Sequence, residues 1–191
     1  MTRRFLTGTL LTVLLVGASA WRAWPAAPVL AAGTEGLQVV TLAKDGRILV
    51  SFTLSNGFTD ELREAIRSGL PATITYEIDL RRDGLLWFDR TIASSTVTAS
   101  VRFDNLTRQH RLARTVDGRG EEPRLTEDES LVREWLTVFK QLPLFSTAQL
   151  EGNVEYYVRV RAITRPRVNW LLFWPWEQGA TTGYVRFTVI Q

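Results

Sequence analysis

From Leu37 onward the chain is written in alternation of apolar and polar side chains. Ile74, Tyr76, Ile78 and Leu80 alternate with Thr73, Thr75, Glu77, Asp79 and Arg81, the period-two pattern of a strand with one wet face. Arg82-Asp83-Gly84 follows, and Asp-Gly tolerates the positive φ of a tight hairpin, so residues 85–90 are predicted to return. Val97, Ala99, Val101 and Phe103 alternate in the same way, and residues 106–112 close a three-stranded block over 72–113. Upstream, residues 37–43 form a first strand, and Lys44-Asp45-Gly46-Arg47 supplies a turn. Ile48, Val50, Phe52 and Leu54 then alternate with Leu49, Ser51, Thr53 and Ser55. Downstream, Val154, Tyr156, Val158, Val160 and Ala162 predict another strand, and Val185, Phe187 and Val189 a last one.

Two segments change period. In residues 59–69, Leu62, Ala65 and Ile66 fall at helical spacing, followed by Leu70. Thr59 is the expected N-cap, Asp60 and Glu61 suit the first turn, Gly69 the C-cap, and Pro71 forbids continuation. A second helix is predicted over 127–142, its stripe made of Leu131, Trp135, Val138, Phe139 and Leu142 and its end set by Pro143. Residues 114–128, with two glycines, a proline and mixed charge, read as an exposed loop. Antiparallel strands with two helical insertions predict a mainly β fold, an immunoglobulin-like β-sandwich. The alternative is an α+β arrangement, one curved antiparallel sheet packed on two helices.

The first twenty residues differ in kind. Arg3 and Arg4 precede an apolar run over 5–16, and Ala18-Ser19-Ala20 is a small-x-small cleavage pattern, the layout of a secretory signal peptide. Retention of the segment as a membrane anchor is the alternative, although the run is short for a span of roughly 20 residues. Residues 21–36, rich in Ala, Pro and Gly, read as a flexible linker, which leaves 37–191 as a single domain. Localisation is therefore expected to be periplasmic or otherwise exported, after cleavage near Ala20.

The leader carries two arginines and no acid, so its removal turns 23 basic residues into 21 against 20 acidic ones. The mature chain is close to neutral, and the basic composition gives no case for nucleic acid. There is no cysteine, which excludes disulfides, a thiol nucleophile and a thiolate metal site. A domain of this length buries about 68–70% of its unfolded surface, enough to stand without cross-links.

Catalytic signatures are sparse. The single histidine, His110, stands between Arg108 and Arg111, whose charges oppose its protonation and do not orient it. One histidine with scattered acids does not make a metal site, and Glu121, Glu122, Glu127, Asp128 and Glu129 lack calcium-loop spacing. Neither a nucleophile elbow nor a phosphate-binding glycine loop is present. No catalytic residue, cofactor or metal ligand is assigned.

Two surfaces suit binding. Arg102, Arg108, Arg111, Arg114 and Arg119 concentrate positive charge on the middle strands and the loop after them, with Arg108 and Arg111 marking a candidate basic strand face. Residues 168–177 hold Trp170, Phe173, Trp174 and Trp176 just after Arg165 and Arg167. Tryptophan beside arginine suits a membrane interface, and a large exposed apolar patch otherwise marks a protein contact.

Leu86-Trp87-Phe88-Asp89, after an alternating strand, and Leu106-Thr107-Arg108-Gln109-His110-Arg111-Leu112 resemble the uncharacterised bacterial envelope family known as domain of unknown function 4390. The resemblance covers roughly 37–191 and implies an exported protein with no established activity. The family pattern has Tyr where His110 stands, and residues 165–180 inherit nothing from it. The expected function is a non-catalytic envelope module that binds another protein or docks at the membrane surface. The alternative is a hydrolase of an envelope polymer working through carboxylates.

Overall fold

A computed structural model describes residues 36–82, 84, 89–165 and 180–189. Strands β1 (Leu37–Lys44) and β2 (Arg47–Leu54) lead into helix α1 (Asp60–Arg67), followed by β3 (Ala72–Arg82), β4 (Arg90–Asp104) and β5 (Gln109–Val116). Two short strands come next, β6 (Arg119–Gly120) and β7 (Arg124–Thr126), then helix α2 (Glu129–Thr137), β8 (Val138–Ser146), β9 (Glu155–Arg165) and β10 (Ala180–Thr188). One sheet has the order β1-β2-β8. The other runs β10-β9-β3-β4-β5, with β6 and β7 sharing the outer edge of β5. Every pairing is antiparallel. The mainly β, sandwich-like architecture with two helices is the one the alternation predicts. The signal peptide at 1–20 and nearly all of the 21–36 linker lie outside the described residues. Neither described helix is long and apolar enough to cross a membrane.

Turn chemistry fixes the register of the first sheet. Asp45 and Gly46 both take positive φ, 51° and 72°, the requirement of a type I′ hairpin, and Lys44 pairs with Arg47 across it. In the second sheet β3 is central, flanked by β4 and β9. Its inward residues Ile74, Tyr76, Ile78 and Leu80 are fully buried. Its outward acids meet arginines of β9: Asp79 pairs with Arg159 at 2.5 Å and Glu77 with Arg161 at 3.7 Å. Exposed pairs of this kind add about 0.2–1 kcal/mol each, so the buried face and not the ion row holds the sheet.

The structure corrects two expectations. Helix α2 stops at Thr137 instead of continuing to Leu142, and residues 138–146, Pro143 included, form an edge strand against β2. The helical period persists in the sequence, but the last carbonyls of the helix are taken by tertiary partners. Arg114 Nη2 donates to the Trp135 carbonyl at 2.8 Å, and the Tyr76 hydroxyl donates to the Leu136 carbonyl at 2.7 Å. The Thr137 hydroxyl caps the Arg133 carbonyl at 2.7 Å. The Trp135 and Leu136 carbonyls, which would have bonded to amides beyond Thr137, are thus satisfied by Arg114 and Tyr76, and the β-branched pair Thr137-Val138 favours the extended chain. Consequently Val132 and Leu136 are fully buried, whereas Leu131, placed in the predicted stripe, is about half exposed. The second correction concerns residues 114–128, which are not a continuous loop. Asp117 and Gly118, at φ 49° and 77°, make another Asp-Gly hairpin joining β5 to β6.

The two sheets meet through aromatic rings. Phe52 of β2, Phe139 of β8 and Tyr76 of β3 have centroids 4.5–4.9 Å apart, one pair stacked, one tilted and one edge-on. At the far side β1 crosses β10 at Gly183, where a Cβ would lie 2.5 Å from the Leu37 carbonyl oxygen. A glycine inside a strand is required by this close backbone approach.

Two stability predictions follow from these contacts. Gly183→Ala forces the backbones apart and is expected to lower unfolding free energy by about 1–3 kcal/mol in urea melts, with Thr182→Ala within about 0.5 kcal/mol of the parent. A Gly183→Ala midpoint equal to the parent's contradicts the close approach. Tyr76→Phe leaves the buried Leu136 carbonyl unpaired and is expected to cost about 1–3 kcal/mol. Burial also pushes the Tyr76 phenol well above its ordinary range, so the native state keeps a proton that the unfolded state releases above about pH 10. Stability from this group is complete below that pH and falls as pH rises. Melts at pH 9 and pH 11 should therefore show a smaller alkaline loss for Tyr76→Phe than for the parent.

Candidate binding surfaces

Arg114 is the inward residue of β5 opposite Ala99, at the place where the second sheet meets α2 and β8. Its guanidinium stacks between two rings, 4.2 Å from the Trp135 centroid and 4.1 Å from that of Phe139. The indole Nε1 of Trp135 donates back to the Ala113 carbonyl at 3.3 Å, so helix and strand hold each other reciprocally. Arg124 of β7, paired with Leu112, lies over the same indole at 5.3 Å. Between α2, β5 and β7 a groove of about 350 Å³ opens. Its apolar walls are Leu112, Leu125, Leu131 and Val138, and Lys140 and Glu134 form an ion pair at 3.0 Å along it. Burial lowers the Arg114 pKa, Glu121 raises it through its charge, and neighbouring Arg124 lowers it again. The groove thus presents two cations that repel each other and share one aromatic ring.

A second feature lies at the end of the same sheet. Arg102 and Arg111 are direct cross-strand partners, and Leu125 of β7 stands opposite Arg111 on the other side. Among the described residues neither arginine forms an ion pair. Like charges directly opposite on a sheet destabilise it. The β4–β5 turn beyond them is built by Asp104, whose carboxylate accepts from the amides of Leu106 at 2.9 Å and Thr107 at 3.3 Å. Those amides hold the Asp104 carboxyl below its usual range, and Arg102 adds a smaller effect in the same direction. Arg108 completes the turn at φ 58°. Leu106 at its tip is 95% exposed, and Leu125 is 65% exposed. Leu70 is also exposed, and its neighbour Gly69 touches Asn105 of the turn.

Of the sequence-predicted residues, Arg108 and Arg111 fall at this sheet end. Arg114, grouped with them by sequence, points the other way into the core. Arg165 is the last residue of β9, and Arg167, Trp170, Phe173, Trp174 and Trp176 lie outside the described residues. His110 is buried on the inner face, its ring 4.8 Å from Phe103 and its Nδ1 without a hydrogen-bond partner among the described residues. Arg111 occupies the opposite face of β5, so it does not frame a site with His110.

The carboxylates have structural partners. Asp89 accepts from the Tyr157 hydroxyl at 2.5 Å, which keeps its carboxyl low, and Asp117 accepts from Ser95 and the Thr96 amide. Asp128 caps α2 through the Ser130 amide, and Glu129 ties α2 to α1 through Arg67 at 2.9 Å and Arg63 at 2.6 Å. Among the described residues no three His, Asp or Glu side chains gather as a metal site. The groove is not evident from the sequence, because Arg114 falls in the stretch 114–128 whose glycines and charges suggest a loop. The run His110, Leu112, Arg114, Val116 continues the inward period of β5 and carried the signal.

No curated protein and no solved structure matches the chain. A family match does extend over residues 31–177, from just before β1 through β9 and ending short of β10. On that span, more than half of the sequence, the chain belongs to the family described as domain of unknown function DUF4390.

Proposed function

We propose that this is an exported envelope domain without catalytic activity that docks on an anionic membrane surface through the β4–β5 end of its larger sheet. The observation that carries the reading is the opposed pair Arg102 and Arg111, unpaired with any carboxylate among the described residues and flanked by exposed Leu106 and Leu125. Like charges on directly opposed strand positions raise the energy of the free domain, and phosphate headgroups bound by both arginines remove that repulsion. Leu106 at a hairpin tip supplies an apolar side chain that can enter the headgroup layer beside them. The acids at this end are already engaged, Asp104 by the turn amides and Glu127 by Gln109 at 3.3 Å. Arg165 and Ala180, the residues flanking the tryptophan-bearing segment, belong to strand ends that leave the sheet on this same side. Export itself rests on the leader pattern of residues 1–20.

The test is flotation of the chain from Gly33 onward with phosphatidylglycerol-containing and pure phosphatidylcholine vesicles, at low and high salt. The parent is expected to float with the anionic vesicles alone and to be released by salt. Arg102→Gln with Arg111→Gln is expected to abolish flotation while keeping or raising the thermal midpoint, because a repulsive pair has been removed. Flotation that is unchanged in this variant, or absent in the parent, overturns the reading.

A further inference from the structure

We infer that the groove between α2, β5 and β7 is a binding site for a small amphipathic carboxylate, an acid group carried on a short apolar chain. The inference does not rest on membrane docking: the two surfaces share Leu125, but Arg102, Arg111 and Leu106 do not line the groove.

The argument starts from charge. Arg114 is fixed by its stack on Trp135 and Phe139 and by its bond to the Trp135 carbonyl, so its position does not depend on a ligand. Its Nε is closed to solvent, and although Glu121 acts on its charge, no carboxylate among the described residues forms an ion pair with it. Arg124 brings a second guanidinium over the same indole and is likewise without an ion pair among the described residues. The groove's own acid, Glu134, is engaged by Lys140. An anion entering here would meet two guanidinium groups already held by aromatic stacking, which reduces the ordering cost of binding.

The remaining lining sets the rest of the ligand. Leu112, Leu125, Leu131 and Val138 are apolar, and Leu125 and Leu131 are both exposed to solvent. A bare inorganic anion would leave these walls wet, whereas an apolar chain on the anion covers them. The volume, about 350 Å³, falls at the small end of the roughly 300–1,000 Å³ typical of small-molecule pockets. Carboxylate matches the planar donor fork of arginine in a two-bond geometry. Two sources present this chemistry: a free medium-chain fatty acid, or the C-terminal carboxylate of a peptide ending in an apolar residue.

Calorimetric titration of the full-length chain with octanoate, octan-1-ol and N-acetyl-leucine separates these cases. Octanoate or N-acetyl-leucine is expected to bind saturably with one site, and octan-1-ol at least about tenfold more weakly than the tighter acid. Tighter octanoate identifies the free acid as the source, and tighter N-acetyl-leucine the peptide terminus. Arg114→Gln removes a helix-end hydrogen bond and can fail to fold, so the deciding variant is Arg124→Gln, at an exposed position of a three-residue strand. It is expected to weaken the acid about tenfold or more while leaving octan-1-ol binding and the thermal midpoint unchanged. Equal affinity for acid and alcohol, an Arg124→Gln variant that binds as the parent does, or no saturable binding of either acid overturns the inference.

Discussion

The end of α2 is the constraint from which the rest of the architecture follows. A helix leaves its last carbonyls without amide partners, and here those carbonyls lie in the core, where water cannot serve them. Tyr76 and Arg114, from different strands of the larger sheet, satisfy two of them. Because the helix ends there, Val138 turns directly into β8, and Phe139 reaches the ring cluster with Phe52 and Tyr76. One junction therefore sets where the helix stops, how the two sheets are spaced and which way Arg114 points.

Burying a guanidinium to do this has a cost that aromatic stacking offsets. Arg114 lies between Trp135 and Phe139 and brings its charge to the wall of a groove, not to bulk water. The same element that completes the core thus leaves an electropositive, partly apolar concavity beside it. Structure and candidate chemistry are linked here through one side chain, whereas the Arg102–Arg111 pair at the sheet end has no role in the core and costs repulsion in the free domain.

Legibility in the sequence tracked how local each determinant was. The alternation of β2 and β3, the Asp45-Gly46 hairpin and the Thr59 cap of α1 are set by neighbours a few residues apart, and each was readable. The overrun of α2 was not, because Trp135, Val138, Phe139 and Leu142 fit a helical stripe, and the interruption comes from Tyr76 and Arg114, far away in the chain. At the sheet end, Arg108 and Arg111 were singled out from composition. That Arg111 faces Arg102 depends on the β4–β5 register, which a five-residue separation of Asp104 and Gln109 sets and alternation alone does not.

Backbone chemical shifts from Glu129 to Ser146 test this account most directly, since they report where the helix ends in solution. Helical Cα and Cβ shifts through Thr137 and extended shifts from Val138 onward are the expected result. Helical shifts continuing to Leu142 would contradict it, removing the carbonyl capture by Tyr76 and Arg114 and, with it, the origin of the groove.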